Sequence, residues 1–425
     1  MKRGRSFFLT LTLDVGYIVL ALVASVVGLF RGRFAGMWDH LKRRGCAEIP
    51  LREGDRPCVW LHGVSVGEVL SARELVQKIA AEFPRWDIVV SSSTRLGVEA
   101  ARSHYSERIV VSYPLDLSYC VRRAFRQLRP DLIVVVEHDL WPNFLRHAAA
   151  RGTPVILANA RLSPKSLRGC RFLSRVYPWP PRELAAILVQ DEASARGFIE
   201  LGYSEDDVDV VGNLKFDNPP PPQAEGLRAE LQFEADDWVL VAGSTHEGEE
   251  VAALDALAEL RRRDRRTFLI LVPRRIERTD EIASLVAAKG FSHSLWSEER
   301  QRGPDVLLVD TIGALARISA VGDVVFVGGT LAPVGGHNVI EPAAFGRPIV
   351  IGPHYRNARS VVQSFVDGEG LLVVPNADEF VKTVVALKEN PERAGELGRN
   401  AARTVRENAG AAERVLKRMK EFLQG

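Results

Sequence analysis

Residues 58–83 read CVWLHGVSVGEVLSARELVQKIAAEF, and they contain a pattern that recurs through most of this chain. The apolar run Cys58–His62 predicts a strand, Gly63 ends it, and the spacing of apolar residues from Val69 onward predicts a helix. A short apolar strand that passes through a tight turn into a helix is typical of a parallel α/β sheet.

Glu68 lies in the predicted turn between this strand and this helix. Ser65 and Glu68 have the spacing of a capping box, in which each side chain binds backbone N–H groups at the start of the helix. Loops at the carboxyl ends of strands in open α/β sheets also bind ligands. The pattern therefore leaves two interpretations of Glu68 open, a helix cap and a catalytic carboxylate.

The alternation of strands and helices runs along the chain in two blocks. Seven apolar runs between residues 58 and 212, and six between 238 and 375, predict parallel strands with helices between most of them. Between the blocks, the four prolines Pro219–Pro222 can continue neither element and favour a stiff spacer. We predict an α/β fold of two doubly wound domains, 45–216 and 217–425, that face each other across a cleft.

The first 44 residues differ in charge from the rest of the chain. They carry eight Lys or Arg and two Asp, whereas the whole chain of 425 residues has a formal net charge of +2. Residues 7–30 are apolar apart from Asp14, and basic residues flank them on both sides. This pattern favours a membrane anchor helix within 1–44 over a signal peptide, because Arg31 and Arg33 follow directly without a clear cleavage site.

The four cysteines indicate the redox environment and exclude one class of metal site. They form no C-x-x-C pair and have no zinc-type spacing with any of the nine histidines. A reducing compartment is the simplest interpretation.

The glycine-rich stretch FVGGTLAPVGGHNVIEPAAFGRPIVIGPH, residues 326–354, predicts a phosphate-binding loop. Four of its glycines, Gly328, Gly329, Gly335 and Gly336, allow backbone N–H groups to converge near the helix that begins at Asn338-x-x-Glu341. The alternative is a glycine-rich turn with a second capping box. Neither a P-loop nor a dinucleotide motif is present.

Two other junctions of strand and helix belong to the same predicted domain. GSTHEGEE, residues 243–250, has acidic residues in a first helical turn, which the helix dipole alone favours, so we interpret it mainly as structural. Arg274 and Arg275 end a predicted strand, where a guanidinium can neutralise a leaving phosphate or can simply be solvated.

In the first domain, EHDLWPN places Glu137, His138 and Asp139 at the end of a strand. Buried charges without partners are rare, so these residues predict a functional site. A metal site is conceivable, but three adjacent residues cannot all point at one ion.

Residues 161–182 contain six basic residues and no acidic residue, with Leu167, Phe172 and Trp179 among the interleaved apolar side chains. Basic and aromatic residues together favour an anionic membrane surface or a lipid headgroup. Nucleic acid is disfavoured because the chain is only weakly basic overall, and a solvated helix is the structural alternative.

Eight motifs in order resemble those of the Kdo transferases, which add 3-deoxy-D-manno-octulosonic acid (Kdo) to lipid A precursors. The motifs extend over residues 58–354 and read HGVSVGE, EHDLWPN, ANARLSPKS, GNLKFD, STHEGEE, LVPRR, FVGGTLAPVGGHNVIEP and GPH. The resemblance implies a GT-B glycosyltransferase that inverts the anomeric carbon and needs no metal or other cofactor. It also implies CMP-Kdo as donor and a lipid acceptor at the cytoplasmic face of the bacterial inner membrane.

The resemblance also implies roles for individual residues. The family's general base falls on Glu68, and its transition-state stabilisers fall on Glu137 and Lys215. The contacts to CMP fall on residues after three predicted strands: Pro273 and Arg274; Ile312, Gly313 and Ala314; and Asn338, Val339, Ile340 and Glu341.

Three positions depart from the family pattern. Asp139 replaces the second Glu of the E-x-E motif, Arg275 stands where His is usual, and Ala314 stands where Glu is usual, which removes a side-chain contact to the nucleotide. Two other functions remain as alternatives: a GT-B transferase for another nucleotide sugar, such as a lipid-linked GlcNAc transferase, and a membrane-anchored binding protein without turnover.

Overall fold

The computed structural model describes residues 12, 14–17, 44, 49–137, 139–173, 183–218, 226–298 and 304–423. The chain divides into two compact units. Unit 1 comprises Met1–Asn218 together with Ala409–Gly425, and unit 2 comprises Pro219–Asn408.

Unit 1 is built on a parallel sheet of seven strands in the order β3-β2-β1-β4-β5-β6-β7. Alternate residues of β1 enter different cores: Cys58 and Trp60 join one cluster, and Val59 and Leu61 join the other. Both faces are therefore covered, which explains why the strands are apolar without interruption. The strands are β1 Cys58–His62, β2 Asp87–Ser92, β3 Ile109–Ser112, β4 Leu132–Val136, β5 Val155–Ala160, β6 Ala186–Val189 and β7 Val208–Val210.

Helices follow most of these strands, as expected for parallel connections. They are α1 Val66–Ser71, α2 Arg73–Glu82, α3 Arg95–His104, α4 Ser118–Leu128, α5 Pro142–Arg151, α6 Pro164–Leu173 and α7 Glu192–Glu200. Short 3₁₀ helices, Glu205–Asp207 and Leu214–Asp217, flank β7.

Unit 2 has a second parallel sheet of seven strands, in the order β10-β11-β9-β8-β12-β13-β14. Its strands are β8 Trp238–Thr245, β9 Thr267–Pro273, β10 His293–Leu295, β11 Val306–Leu308, β12 Val324–Val327, β13 Ile349–Ile351 and β14 Leu371–Val373. Its helices are α8 Leu227–Glu230, α9 Glu249–Arg263, α10 Thr279–Ala288, α11 Leu315–Ile318, α12 Ile340–Ala344, α13 Arg359–Asp367, α14 Ala377–Glu389 and α15 Pro391–Asn408, with 3₁₀ helices at Ile276–Arg278 and Arg356–Ala358.

The two parallel α/β sheets confirm the predicted class of fold, and thirteen of the strands correspond to the apolar runs of the sequence. Strand β10 was not predicted. It has three residues, pairs only with β11 among the described strands, and exposes His293, so it lacks the apolar pattern of a buried strand.

The last helix, α16 (Ala411–Leu423), belongs to unit 1, although the sequence assigned 217–425 to the second domain. Its apolar face packs on α2, where Val415 and Met419 share a core cluster with Ile79. Asp217 fixes its start by accepting hydrogen bonds from the backbone N–H groups of Gly410 and Ala412. An amphipathic pattern predicts that a helix buries one face, but not which core receives that face.

The predicted anchor, residues 7–30, lies outside the described residues except for Thr12 and 14–17. In the described part of the chain, none of the helices has the length and apolar character needed to cross a bilayer. Asp14, the single charge of the segment, accepts hydrogen bonds from Ser118 N (2.9 Å) and Asn143 Nδ2 (3.0 Å) of unit 1.

Candidate functional site

Glu68 makes the hydrogen bonds of a helix cap. Ser65 is the N-cap of α1, and its Oγ accepts a hydrogen bond from Glu68 N (3.4 Å). In return, Glu68 Oε2 accepts a hydrogen bond from Val64 N (2.7 Å) and Oε1 accepts one from Ser65 Oγ (3.1 Å). A carboxylate has about four lone-pair sites, so these bonds do not exclude proton transfer.

Glu137 and Lys215 form an ion pair at the carboxyl edge of the same sheet. Glu137 follows β4 directly, and its Oε1 lies 3.2 Å from Lys215 Nζ. The backbone of Glu137 has φ 71°, in the left-handed region that glutamate rarely adopts. Backbone strain of this kind clusters at functional sites.

Asparagine side chains hold the backbone that carries Lys215. Asn213 Oδ1 accepts a hydrogen bond from Lys215 N (3.0 Å), and buried Asn159 Oδ1 accepts one from Leu214 N (3.1 Å). Gln190 joins the two asparagines, since its Nε2 donates to Asn159 O and its Oε1 accepts from Asn213 Nδ2. The ends of β5, β6 and β7 thus fix the start of the 3₁₀ helix that bears the lysine.

Asp139 supports the site structurally. Its Oδ2 accepts hydrogen bonds from His62 Nε2 (2.8 Å) and Ser93 Oγ (3.1 Å), and its Oδ1 accepts one from Trp141 Nε1 (2.8 Å). Burial opposes ionisation of Asp139, but these bonds outweigh it and lower the carboxyl pKa. Asp139 therefore joins the loop after β4 to the ends of β1 and β2.

His62 belongs to this site, although the sequence analysis did not single it out. The ring is fully buried and stacks on Tyr113, with 3.7 Å between the ring centroids. Burial lowers its pKa, its Nε2 donates to Asp139, and its Nδ1 lies 3.0 Å from Ser91 Oγ and 3.2 Å from Ser91 O. A polar residue as the last residue of an apolar strand was the available signal.

The structure brings the three predicted catalytic residues to one edge of unit 1. Strands β1 and β4 are neighbours, so the turns that hold Glu68 and Glu137 start side by side. Helix α1, which carries Glu68, contacts the 3₁₀ helix Leu214–Asp217, which carries Lys215. Glu68 and the Glu137–Lys215 ion pair therefore share the edge where ligands bind in open α/β sheets.

In unit 2, the predicted nucleotide contacts follow strands β9, β11 and β12, whose carboxyl ends lie at one edge of the sheet. Pro273 ends β9, and the exposed Arg274 donates its backbone N–H to Thr245 O (3.0 Å) at the end of β8. Its guanidinium is therefore not needed to hold the turn.

The other two groups of predicted nucleotide contacts, residues 312–314 and 338–341, lie after β11 and β12. Ile312 is 86% exposed, Gly313 has φ 92°, and Ala314 is the N-cap of α11. Asn338 Oδ1 accepts a hydrogen bond from Ile340 N (3.0 Å), and its Nδ2 donates to Glu341 Oε1 (3.0 Å). Val339, not Asn338, is the N-cap of α12, so the second capping box, the alternative interpretation of this stretch, is wrong in detail.

The predicted phosphate-binding loop differs more strongly from the structure. The N–H groups of residues 329–332 all donate to the carboxylate of Glu249, at 2.7 to 3.0 Å. Gly335 N and Gly336 N both donate to Gly329 O, at 3.0 and 2.8 Å. These amides converge as expected, but on acceptors of the protein itself, so they do not supply the predicted contacts to a leaving phosphate.

Two histidines meet beside this loop. The rings of His246 and His337 are parallel within 2°, and their Nε2 atoms lie 2.9 Å apart. Burial lowers the pKa of His337 to about 4, with smaller contributions from the nearby His246 and Arg274. His337 is therefore neutral near pH 7, and one of the two Nε2 atoms donates a hydrogen bond to the other.

Among the residues that the structure describes, no group of three or more His, Cys, Asp or Glu side chains could hold a metal ion. Metal-free transfer stays a prediction.

A solved structure shares the fold of this chain. A glycosyltransferase from Rickettsia africae is 13% identical and superposes with a TM-score of 0.56, covering 88% of this chain and 100% of that one. At this identity the likeness concerns the fold alone. The two parallel-sheet α/β domains of this chain resemble those of GT-B glycosyltransferases.

Sequence comparisons define the family. The model of a family described as 3-deoxy-D-manno-octulosonic-acid transferase (kdotransferase) matches residues 39–218. The 3-deoxy-D-manno-octulosonic acid transferase of Haemophilus influenzae is 30% identical over 432 aligned residues, covering 99% of each chain. The enzyme of the same name from Chlamydophila psittaci is 31% identical over 384 residues, covering 88% of this chain and 87% of that one. The chain belongs to the Kdo transferase family and is a glycosyltransferase.

Proposed function

We propose that this enzyme transfers Kdo from CMP-Kdo to a lipid A precursor (lipid IVA) in lipopolysaccharide biosynthesis. The observation that carries the proposal is the Glu137–Lys215 ion pair on a strained strand end, at the sheet edge that also holds Glu68. Membership of the Kdo transferase family supports Kdo as the transferred sugar.

Glu68 acts as the general base. The acceptor hydroxyl must lose its proton while it attacks the anomeric carbon, and a carboxylate within hydrogen-bond reach accelerates that step. A single displacement inverts the anomeric configuration. The capping bonds of Glu68 hold its carboxylate in one orientation, which favours this role.

Lys215 and Glu137 act as an electrostatic pair. Negative charge gathers on the CMP phosphate as the sugar leaves, and a fixed ammonium stabilises it without a metal ion. Glu137 holds the Lys215 ammonium in place, and the asparagines under Lys215 fix its backbone.

Unit 2 binds the donor nucleotide. Arg274 supplies a charged hydrogen bond to phosphate. Pro273, residues 312–314 and residues 338–341 contact the rest of CMP, with backbone groups at Ile312 and Gly313 compensating for the missing acid at Ala314. Their shared position at one edge of the unit 2 sheet supports this assignment.

The membrane surface is the second partner, at the cytoplasmic side of the inner membrane. Residues 7–30 and the basic segment 161–182 make the contact. Within the described part of that segment, helix α6 exposes Lys165 and Arg168 together with Phe172, which is 68% exposed. Cationic and aromatic side chains on one exposed helix suit an anionic headgroup layer.

The test is a reaction of purified protein with CMP-Kdo and tetraacylated lipid A precursor, followed by mass spectrometry of the lipid. The expected product carries added Kdo, forms equally with EDTA, and is absent when UDP-GlcNAc replaces CMP-Kdo. Transfer only from UDP-GlcNAc, or donor binding without turnover, would replace the proposal with one of its two rivals. Activity lost with EDTA and restored by magnesium would overturn the metal-free step.

A further inference from the structure

Glu249 is a buried carboxylate that five backbone N–H groups surround. Its side chain belongs to a residue only 1% exposed. Its Oε2 accepts from His246 N (2.9 Å) and Gly329 N (2.7 Å), and its Oε1 accepts from the N–H groups of residues 330–332 at 2.9 to 3.0 Å. Two segments of chain 80 residues apart, the turn after β8 and the loop after β12, therefore converge on one side chain.

This arrangement does more than start a helix. A helix cap satisfies one or two N–H groups of its own helix, whereas four of these donors belong to the glycine-rich loop. Charge-assisted bonds to an ionised carboxylate are stronger than bonds between neutral groups. We infer that Glu249 is a positioning residue for donor binding: it fixes the loop that begins at Gly328 and ends at the nucleotide-contacting residues 338–341.

Contacts within the loop connect its start, which Glu249 holds, with the predicted donor site at its end. Gly329, held by Glu249, accepts hydrogen bonds from Gly335 N and Gly336 N. The ring of His337 lies so close to Gly329 that an added Cβ there would meet His337 Cδ2 at 2.9 Å. His337 immediately precedes Asn338, so displacement of Gly329 would reach the predicted CMP contacts.

The histidine pair depends on the same carboxylate. Glu249 Oε2 binds the backbone of His246 on one side and of Gly329 on the other. The ring of His337 rests on Gly329 and meets the ring of His246, with 2.9 Å between the Nε2 atoms. The contact between the two rings therefore joins the same two backbone segments that Glu249 holds together.

Glu250 provides a matched control one residue further along α9. It is also 1% exposed and in the first turn, but its Oε1 pairs with Arg278 Nη1 at 2.9 Å. Loss of either carboxylate removes buried charged interactions, so both variants are expected to lose stability. Of the two carboxylates, only that of Glu249 accepts hydrogen bonds from the loop, whereas that of Glu250 pairs with Arg278.

The experiment compares Glu249→Gln with Glu250→Gln in the full chain. Gln replaces one acceptor oxygen with an NH₂ donor, which would face backbone donors. We expect amides 328–337 to exchange hydrogen at least tenfold faster in Glu249→Gln only, with CMP binding weakened at least tenfold in calorimetry. The KM for CMP-Kdo should rise in parallel, with the KM for the lipid acceptor unchanged.

Unchanged exchange in residues 328–337, or equal weakening of CMP binding by Glu250→Gln, would overturn the inference. If Glu249→Gln does not fold, Glu249→Asp takes its place, because it keeps the charge but is one methylene shorter. That variant should show the same changes at smaller size, and wild-type CMP affinity in it would contradict the inference. The inference rests on the proposed function only in naming CMP. A wild-type protein that binds no CMP would refute the assignment of the donor. Hydrogen exchange in residues 328–337 would still test the role of Glu249.

Discussion

Glu137 and Lys215 are 78 residues apart in the chain, and their charged groups lie 3.2 Å apart at the carboxyl edge of the unit 1 sheet. The side chains are partly exposed, at 19% and 39%, so the pair contributes little to stability as an ion pair alone. Glu137 also keeps a left-handed backbone, which is unfavourable for any residue with a Cβ. These features together favour a role in catalysis over a role in folding.

Replacing Glu137 by Gly and by Ala separates backbone strain from charge. Both variants lose the carboxylate, but only glycine adopts a positive φ without penalty. We expect Glu137→Gly to be about 1 kcal/mol more stable than Glu137→Ala in denaturant unfolding. Turnover should fall about 100-fold in both, as for the loss of one transition-state contact. Equal stability would contradict the strain argument, and wild-type turnover would remove Glu137 from the reacting centre.

Arg274→Ala tests donor binding in unit 2. If the guanidinium donates a charged hydrogen bond to phosphate, its loss should weaken CMP binding by about 1.5 to 3 kcal/mol. The unfolding free energy should hardly change, because the side chain is exposed. Arg275→Ala, at the adjacent exposed arginine, is the control and should bind CMP nearly as wild type does. Equal losses in both variants would mean a diffuse electrostatic effect.

The stability of the fold should decrease as the pH falls from about 6.5 to about 4, partly because of His337. Its pKa is about 4 in the folded state and near 6.5 when unfolded, so the unfolded chain binds more protons in this range. One pKa unit corresponds to about 1.4 kcal/mol, but solvent screens this half-buried ring. We expect His337→Gln to remove about 1 to 2 kcal/mol of the acid-induced loss.

Urea unfolding at several pH values measures this effect. His104→Gln, at an exposed histidine of α3, is the control and should keep the wild-type slope. A His337→Gln protein with the wild-type slope would show that other groups, such as buried His62, account for the loss.

Local patterns were sufficient to predict most of the fold. Continuous apolar runs such as Leu132–Val136 read directly as buried parallel strands, and the prolines at 219–222 lie where unit 1 gives way to unit 2. Helix α16 was assigned to the wrong unit because its pattern contains no information about which core its apolar face joins.

The site was less predictable from spacing alone. The positions of Glu68 and Glu137 at the ends of predicted strands indicated that they could be functional. Only the family resemblance connected Lys215 with them. Glu249 was interpreted as part of a helix start, because bonds between a side chain and amides 80 residues away leave no local signal. The many glycines in the loop indicated that its backbone amides converge. They did not indicate that the carboxylate of Glu249 already accepts hydrogen bonds from the amides of residues 329–332.

The most direct test of the whole account is the turnover of Glu68→Gln. Gln can still accept the hydrogen bond from Val64 N but cannot take a proton, so we predict a folded protein with turnover lowered about 100-fold to 10,000-fold. Ser65→Ala is the matched control for the cap: it should lose about 1 kcal/mol of stability. Its turnover should fall far less than that of Glu68→Gln, because the carboxylate stays and Val64 N still holds it. Near-normal turnover by Glu68→Gln would contradict the account and leave Glu68 as a helix cap only.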